Sequence, residues 1–441
     1  MKRKTKKTAF EVVHPLAAGV DVGAMEHYVA VPAHLAEQSV RKFSGFTDDL
    51  HALGDWLVSL GITTVVMEST GNYWFCLYDV LEAKGLEVYL VNARHLKNVS
   101  GRKSDVSDCQ WLQRLHSYGL LSASFIPDQQ IRELRCYVRQ RDRLEKEKAK
   151  DLQMLGSSLT NMNVKLQQVV SDLEGETAMR IIRAIAAGVV DVEQLSQYRH
   201  AKMKASEQEL KRSLTGNYKA EHLFCLRQVL ASYDFHCQQM RQCETQIEQL
   251  LASMQGIPEE DFQSKPKSRK TRKNQYRFEL SSYLLACLGV DATRIDGLDE
   301  NTILEVIAET GIDLTKWKTA KHFTSWLRLA PNPAVSAGKV LYHKVSKTSS
   351  RAARAFRLAA RSLHAHKGYL GQLYRRLCLR KGPSTAIKAV ARKLAVIFYT
   401  MITRQQDYRP QSAEAQIAEN QRQFKRLSRQ AQHRGYKLVP V

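Results

Sequence analysis

The sequence predicts an α/β domain at the N-terminus, followed by long coiled-coil helices and a mainly helical C-terminal domain. Over the first 120 residues, apolar runs of strand length alternate with helical patterns. From Ile131 the apolar spacing changes to a heptad repeat, and beyond residue 280 it is again that of ordinary helices. A chain of 441 residues is also too long for one core, so two or three domains are expected.

Four apolar runs in the N-terminal region have the length and composition of strands: residues 16–22, 27–32, 63–68 and 87–92. Helical patterns separate them. One begins at Thr47 and ends at Gly61, a second follows the turn at Gly71, and a third begins near Ser104. The order is strand, strand, short strand, helix, strand, helix, strand, helix. This is the order of a ribonuclease-H-like layer, which predicts the fold but not the function.

Two stretches of the middle region carry a heptad repeat. The first covers residues 131–173 in one register, with the charged residues Arg141, Glu145 and Lys148 at its central seam positions, where they weaken pairing. The second covers residues 226–254, so the two helices are expected to pack antiparallel within the chain or to pair between chains. An unbroken first helix would span about 65 Å. Short helices are expected between the two.

A polar, basic linker precedes the C-terminal helices, whose pattern is broken at residues 330–333 and 381–383 by proline with small or turn-forming neighbours. The predicted boundaries are 1–126 for the α/β domain, 127–263 for the coiled-coil and helical region, 264–279 for the basic linker, 280–410 for the C-terminal domain and 411–441 for a basic tail.

The composition excludes several classes of protein. With 44% hydrophobic and 25% charged residues, the chain is globular rather than disordered. No apolar run reaches the roughly 18 residues that a membrane helix needs. The basic start MKRKTKK is not followed by the apolar core of a signal peptide. The eight cysteines form no CxxC pair, so neither a zinc site nor a disulfide framework is indicated. We expect a cytoplasmic protein without membrane contact.

Positive charge is concentrated in the C-terminal part of the chain. Lys and Arg number 67 against 44 Asp and Glu, a formal net charge of +23. Residues 1–264 hold 32 basic and 33 acidic side chains, whereas residues 265–441 hold 35 and 11. Between Asp313 and Asp407 there is no carboxylate, although that stretch contains 20 Lys or Arg. Such one-signed depletion is typical of nucleic-acid binding, and solubility alone is the alternative.

Four carboxylates occupy positions that indicate a shared metal site. Asp21 and Glu68 each end an apolar strand, where a buried charge is costly unless it binds a cation or a partner. Asp105 and Asp108 are three residues apart, which puts both on one face of a starting helix. Four converging carboxylates suit two Mg²⁺ ions about 4 Å apart, with Mn²⁺ as a substitute, and such a pair serves phosphodiester chemistry. Taken singly, each carboxylate has an ordinary interpretation, such as a turn or a helix N-terminus.

Ser336 is a candidate nucleophile in the small-residue segment 333–339, which is predicted to be a loop between helices and ends at Lys339. A serine hydroxyl attacks phosphorus when its proton is removed and the phosphate charge is neutralised. From composition alone, however, a turn serine is the better interpretation. His343 is likewise more often a surface or phosphate-contacting residue than a base.

Cationic side chains at helical spacing predict a stripe that follows a phosphate backbone: Arg351, Arg354, Arg357 and Arg361. Such contacts are independent of base sequence and sensitive to salt. Further candidate nucleic-acid contacts are Arg102, Lys103, Lys270, Arg272, Lys273, Lys339 and Lys344. No zinc finger, RNP motif or P-loop occurs, so ATP use and base reading by those modules are not indicated.

Several motifs, in order along nearly the whole chain, resemble one family. They are GVDVG around Asp21, VVMESTGNYW around Glu68, GRKSDVSDCQWL with Asp105 and Asp108, GNYKAEHLFCLRQVL, and FTSWLRLAPNPAVSAGKV around Ser336. This arrangement closely resembles the DEDD insertion-sequence transposases related to the Piv DNA invertase, which are bridge-RNA-guided recombinases.

The resemblance implies a RuvC-like N-terminal domain whose four carboxylates bind magnesium, and a coiled coil used in oligomerisation. It also implies a C-terminal transposase domain whose serine, matched by Ser336, forms a covalent link to DNA. The implied partners are donor and target DNA, a structured non-coding guide RNA, and further copies of the chain in a dimer or tetramer in the bacterial cytoplasm. Two positions depart from the family pattern. Ala337 replaces a glycine and reduces backbone freedom beside Ser336, and Arg392 stands where many relatives have histidine.

The leading hypothesis is an RNA-guided, site-specific DNA recombinase that cleaves and rejoins strands without ATP. One alternative is a metal-dependent nuclease or junction resolvase that uses water, and substitution of Ser336 separates the two. Another is a nucleic-acid-binding protein without activity, which an intact set of four acids disfavours. A composite site, with the carboxylates of one protomer and Ser336 of another, is a further hypothesis.

Overall fold

The computed structural model describes residues 11–69, 71–92, 105–256, 274–336, 339–344, 350–408 and 413–436. The chain divides into two compact units, Met1–Ile126 and Pro127–Val441. The first is an α/β unit and the second is mainly helical, which confirms the predicted fold class at this level. The finer boundaries proposed within residues 127–441 remain predictions.

The first unit contains one five-stranded sheet. Its strands are β1 (Ala17–Val22), β2 (Glu26–Ala30), β3 (Val40–Ser44), β4 (Thr64–Glu68) and β5 (Glu87–Val91), in the spatial order β3-β2-β1-β4-β5. Strands β1, β4 and β5 are parallel, whereas β2 is antiparallel to both of its neighbours. Each of the four apolar runs forms a strand within two residues of its predicted bounds, and β3 is the predicted short strand.

Three helices cover the two faces of this sheet: α1 (Thr47–Ser59), α2 (Trp74–Ala83) and α3 (Asp105–Ser117). Successive strand residues point to opposite faces. On one face Val20 packs in a core with Leu53 of α1 and Leu77 of α2. On the other face Val66 packs against Leu112 of α3. The sheet is therefore covered on both sides, as the apolar character of β1 and β4 requires.

The second unit begins with a long helix, α4 (Gln129–Asn161). Four short helices follow, α5 (Leu166–Val169), α6 (Glu176–Ala186), α7 (Val192–Ser196) and α8 (Glu207–Leu214), and then a second long helix, α9 (Ala220–Ser253). The two long helices pack antiparallel within the chain, because Arg141 contacts Glu244 whereas Asp151 contacts Ser232. Of the two arrangements left open by the heptad pattern, the structure shows the intrachain one.

The first long helix is shorter than the heptad pattern predicts. It ends at Asn161 and is about 50 Å long. Asn163 adopts a left-handed conformation with φ 57°, and the chain turns there. The later heptad positions Leu166, Val169 and Leu173 pack into a core with the short helices. The prediction of one helix through residue 173 is therefore wrong, because these apolar residues serve a local core instead.

The charges at the middle of the seam are paired rather than exposed. The guanidinium of Arg141 binds Glu244 at 2.8 Å and Glu145 at 3.2 Å, and it lies over the ring of Tyr276. Lys148 binds a carboxylate of the loop before α6 at 2.8 Å. A buried charge that loses its partner is costly, so these pairs favour one register of α4 against α9.

The remainder of the second unit consists of α10 (Leu280–Leu288), α11 (Glu300–Thr310), α12 (Ala320–Trp326), β6 (Asn332–Ser336), β7 (Lys339–Lys344), α13 (Arg351–Ser362), α14 (Tyr369–Lys381), α15 (Pro383–Arg404) and α16 (Ala413–Gln432). Helix α15 packs against α12, α13 and α14, with Phe398 edge to face against Phe356. Gly382, with φ 80°, separates α14 from α15 at the predicted break. Among the helices in the described part of the chain, none is both long and apolar enough to cross a bilayer.

Two C-terminal segments differ from their predictions. Residues 332–336 and 339–344 form an antiparallel hairpin rather than a loop between helices, because each short strand satisfies the backbone groups of the other. Residues 411–441 were predicted to be a tail, yet they contain the 20-residue helix α16. Its Ala, Gln, Glu and Arg residues have high helix propensity, which favours a helix here.

Candidate active site

Asp21 and Glu68 lie side by side at the carboxyl edge of the sheet. Strands β1 and β4 are parallel, with Val20 paired to Met67, so Asp21 and Glu68 are the next residues in register. Neighbouring strands are about 4.8 Å apart, and residues in register point to the same face. Both side chains are partly buried. The fold therefore brings together two acids that are 47 residues apart in the sequence.

Helix α3 covers this face of the sheet and approaches β1 very closely at Gly19. A Cβ atom at this position would lie 2.3 Å from the backbone nitrogen of Gln113 and 2.5 Å from the carbonyl oxygen of Cys109. Only glycine permits this approach. At the amino end of the strands, His116 shares a hydrogen bond of 2.8 Å with Thr64. Helix α3 therefore runs antiparallel to β1 and β4, with its N-terminus at the carboxyl edge.

This packing brings Asp108 close to Asp21. Burial raises the pKa of the neighbouring Cys109 thiol to about 12, and the negative charges of Asp21 and Asp108 act in the same direction. Both carboxylates thus lie near one buried thiol. The Oδ1 atom of Asp108 is shielded from solvent. Together with Glu68, the structure places three of the four predicted carboxylates at one edge of the sheet.

The fourth predicted carboxylate belongs to Asp105, the first residue of α3 and nearly one helical turn before Asp108. Its side chain lies outside the described residues. Within the part of the chain that the structure describes, no three His, Cys, Asp or Glu side chains form a group that could hold a metal ion. Asp21, Glu68 and Asp108 therefore share this edge of the sheet without forming such a group by themselves, and the helix start that carries Asp105 lies at the same edge.

The donor atoms at this edge fit a hard divalent cation. Carboxylate oxygens are the ligands that Mg²⁺ prefers, whereas zinc sites commonly use Cys and His. The nearby Cys109 thiol donates to the carbonyl of Val106 at 3.2 Å, and a thiol is not a type of ligand that Mg²⁺ prefers.

The opposite end of α3 is held by a buried histidine rather than by an acid. His116 is fully buried. Burial and the nearby His14 lower its pKa to about 4, so the imidazole is neutral at pH 7. The two rings stack with their centroids 4.7 Å apart. His116 therefore anchors the helix whose other end carries the candidate metal ligands.

Ser336 is the last residue of β6 and lies opposite Lys339 in the hairpin. Its side chain is exposed, so a phosphodiester can reach the hydroxyl. Ala337, one of the two departures from the family pattern, lies outside the described residues. The other departure, Arg392, lies on α15 and is partly buried. Ser336 belongs to the second unit, whereas the carboxylates belong to the first.

The first two arginines of the predicted stripe bind carboxylates of their own unit. Arg351 contacts Asp142 of α4 at 2.8 Å. Arg354 contacts Glu305 of α11 at 2.8 Å and Asp142 at 3.7 Å. Helix α13 is thereby tied to α4 and α11. Contact of either arginine with a phosphate would require exchange of these carboxylates.

The other candidate nucleic-acid contacts differ in how far the structure describes them. Arg357 is partly buried and Arg361 is exposed, and neither forms an ion pair with a described residue. Lys339 and Lys344 begin and end β7, and their side chains lie outside the described part. The residues wholly outside it are Arg102, Lys103, Lys270, Arg272 and Lys273. Nucleic-acid contact remains a prediction for all of them.

One residue that shapes the site was not singled out from the sequence. Gly19 sets the distance between α3 and β1 and thereby the position of Asp108. Its signal was present in the motif GVDVG, because a glycine inside a strand indicates a bulge or a close backbone approach.

Two family models match the chain. A transposase model for DEDD enzymes of the IS110 type matches residues 18–164, which contain Asp21, Glu68, Asp105 and Asp108. A second model, described as Transposase IS116/IS110/IS902 family, matches residues 292–375, which contain Ser336. No curated protein matches the chain. The order of the two matches is the order of the two candidate site halves, and the chain belongs to the IS110 family of DEDD transposases.

Proposed function

We propose that this protein is an RNA-guided, site-specific DNA recombinase that uses magnesium-binding carboxylates and a serine nucleophile. Membership of a transposase family implies an enzyme that cleaves and rejoins DNA. The observation that carries the finer proposal is the position of Asp21, Glu68 and Asp108 at one edge of a five-stranded sheet, beneath α3. The same arrangement supports a RuvC-like interpretation of the first unit.

The four carboxylates would hold Mg²⁺, and Mn²⁺ would substitute for it. When bound, the ions would neutralise phosphate charge and stabilise the attacking and leaving oxygens. The chain contributes rigid positions for the ligands. Asp21 and Glu68 are fixed by adjacent strands, and Asp108 is fixed by the contact of α3 with Gly19. Carboxylates held in this way need little reorganisation during the reaction.

Ser336 supplies the nucleophile in this proposal. Its Oγ atom forms a bond to phosphorus while the bond from phosphorus to a deoxyribose oxygen breaks, and the serine proton passes to that departing oxygen. A deoxyribose hydroxyl of a second DNA end then attacks the phosphoserine ester, and its proton returns to Ser336. Each exchange replaces one phosphate ester by another, so no ATP is required.

The proposed partners are donor DNA, target DNA and a structured guide RNA. Support for nucleic-acid binding comes from residues 265–441, with 35 basic and 11 acidic side chains. The exposed Arg361 and the partly buried Arg357 are available to phosphates without loss of a described ion pair. Guidance by RNA rests on the resemblance of the ordered motifs.

Assembly into a dimer or tetramer is supported by the outer surface of α9. Positions at alternating spacings of four and three carry no charge and are all exposed: Phe224, Gln228, Ala231, Phe235, Gln238, Gln242 and Thr245. This spacing is that of a coiled-coil seam. The inner surface of α9 is already occupied by α4, so the outer stripe is available to a second copy of the chain.

The test is to incubate the full-length protein with its element's DNA, the flanking non-coding RNA and Mg²⁺. A denaturing gel then separates protein-linked DNA from free cut ends. The variants are Ser336→Ala and a matched control, Ser325→Ala, which removes an exposed serine of α12. We expect a covalent adduct with the wild type and with Ser325→Ala, and none with Ser336→Ala.

Free cut ends in equal amounts with all three proteins would contradict the serine step and identify a nuclease that uses water. Omission of the RNA tests guidance separately. Adducts at the same DNA positions without RNA would contradict that part of the proposal. Replacement of Asp21 by Asn should abolish cleavage whichever nucleophile is used, because one of the metal ligands is lost.

A further inference from the structure

Large apolar side chains are exposed at the same edge of the sheet as the candidate metal ligands. Five of them are between 41 and 72% exposed: Met25, Phe46, Tyr73, Phe75 and Val106. Each lies in a segment that follows the carboxyl end of a strand or begins α3. The proposed phosphodiester chemistry involves only polar groups and does not account for them. We call these five residues the apolar rim.

Two members of the apolar rim lie beside the end of β1. Met25 is in the turn between β1 and β2, four residues after Asp21, and this turn is closed by a hydrogen bond from Gly23 to Glu26. The next segment is tied to it, because the backbone nitrogen of Gly45 donates to the carbonyl of Met25 at 2.7 Å. Phe46, which directly follows Gly45, is therefore held next to this turn.

Two further members of the apolar rim, Tyr73 and Phe75, lie at the start of α2, and we call this pair the aromatic platform. The rings of Trp74 and Phe75 stack with centroids 3.9 Å apart and an interplanar angle of 21°. Trp74 packs against the core of the unit and edge to face against Tyr78. One face of Phe75 is thus supported by an anchored ring, while Phe75 as a whole remains exposed beside Tyr73.

The aromatic platform is separated from the carboxylates by only a few nucleotide lengths. Tyr73 follows Glu68 by five residues, so the two Cα atoms are at most about 18 Å apart. The turn at Gly71, with φ 53°, shortens this distance. Successive bases of one strand are about 3.4 Å apart along a duplex axis, so the platform lies within about five nucleotides of a phosphate at Glu68.

The only large apolar parts of DNA are its bases, and they are exposed to such a platform only when unpaired and unstacked. Stacking on aromatic side chains is the usual way in which proteins hold such bases, and it does not depend on their identity. Electrostatic attraction to phosphates is not an alternative way for the first unit to hold DNA, because residues 1–126 hold 13 basic and 13 acidic side chains. The first unit thus has no excess of positive charge with which to hold an intact duplex.

We infer that Tyr73 and Phe75 stack on unpaired bases of the DNA strand whose phosphate lies at the carboxylates, so that the substrate at this edge is locally single-stranded. This inference rests on the proposed function for the position of the phosphate. Met25 and Phe46 extend the apolar surface on the other side of the carboxylates. The platform acts on substrate positioning and takes no part in the chemical step.

Binding by the full-length protein tests the chemistry of the platform. Fluorescence anisotropy in Mg²⁺ at one salt concentration would use labelled oligothymidine and a labelled duplex of equal length as probes. The variant is Tyr73→Ala/Phe75→Ala. Its matched control is Tyr118→Ala/Leu120→Ala, which removes two exposed apolar side chains at the amino end of the sheet. Tyr73→Phe keeps the aromatic face and removes only the hydroxyl.

We expect Tyr73→Ala/Phe75→Ala to weaken oligothymidine binding by about tenfold or more, on the scale of lost base stacking, and duplex binding by less than about twofold. The control pair and Tyr73→Phe should match the wild type on both probes. Unchanged oligothymidine binding, or an equal loss on the duplex, would overturn the inference. So would a change in oligomeric state with the double variant, because the platform would then be a protein interface.

A second measurement shows whether the stacked bases belong to DNA or to the guide RNA. Abasic sites replace the bases within five nucleotides of the cleaved phosphate, and cleavage is measured with the wild type and with Tyr73→Ala/Phe75→Ala. If the platform holds DNA bases, the abasic sites slow the wild type but have little further effect on the variant. Full additivity of the two losses would overturn the assignment to DNA. If the proposed function is wrong, Asp21→Asn will still cleave DNA. The oligothymidine and duplex binding results can be interpreted in either case, because they do not depend on cleavage.

Discussion

At the scale of single residues, the candidate site depends on a glycine, Gly19, as well as on the acids. Asp21, Glu68, Asp105 and Asp108 were all identified from the sequence, because acids at the ends of apolar strands and at a helix start are conspicuous. Gly19 was not identified, because its role depends on the direction in which α3 crosses β1. That direction follows from contacts between segments about 90 residues apart.

Substitution of Gly19 by Ala should displace α3 from β1. The added Cβ would meet backbone atoms of Gln113 and Cys109, which cannot move unless the helix shifts. We expect the free energy of unfolding of the first unit to fall by about 2 kcal/mol or more, together with loss of DNA cleavage. Gly45→Ala is the control, because its Cβ would meet no atom closer than 3.4 Å. Urea unfolding and the cleavage gel measure both effects, and equal behaviour of the two variants would contradict the close approach.

At the scale of elements, periodicity predicted the types of helix and strand better than their ends and partners. The heptad register of residues 131–173 continues through α5 without a change of spacing, yet the helix stops at Asn161. The hairpin that presents Ser336 was missed because its strands are short and contain proline and small residues. Its stability comes from pairing with β7, which no local pattern reports.

Two ion pairs that involve the long helix α9 should contribute different amounts to the free energy of unfolding, because they differ in burial. Arg141 and Glu244 are 5 and 8% exposed, whereas Arg183 and Asp234 are 49 and 43% exposed at a similar distance. We expect Glu244→Gln to lower the free energy of unfolding by about 3 kcal/mol, because Arg141 would keep a buried charge with a weaker partner. Asp234→Asn should cost less than about 1 kcal/mol. Chemical unfolding followed by the helical circular dichroism signal tests this, and similar losses for both variants would count against it.

At the scale of the whole molecule, charge and candidate chemistry are divided between the two units. Residues 1–126 carry the four acids and have no net charge, whereas residues 127–441 hold 54 basic and 31 acidic side chains together with Ser336. Affinity for the phosphate backbone should therefore come mainly from the second unit. Both halves are needed for the proposed reaction, and they belong to different compact units of the chain.

A mixing experiment tests whether the two halves are supplied by different protomers. Asp21→Asn and Ser336→Ala should each be inactive alone, because each lacks one half of the proposed site. If the carboxylates of one protomer act with the serine of another, a mixture of the two variants should restore part of the recombination activity. Recombination is measured over a series of mixing ratios, with doubled amounts of each single variant as the control. Absence of rescue at every ratio would place both halves in one protomer.

The sequence by itself determined the alternation of strands and helices in the first unit, the identity of the candidate acids and the cationic character of the C-terminal part. These properties depend on composition and on spacings of a few residues, which are read locally. Only the tertiary structure decided that α4 pairs with α9 within one chain, that Gly19 admits α3, that Ser336 ends a hairpin strand, and that Arg351 and Arg354 are held by carboxylates. Each of these depends on contacts between residues distant in sequence, whose energies are set by packing and burial rather than by any local pattern.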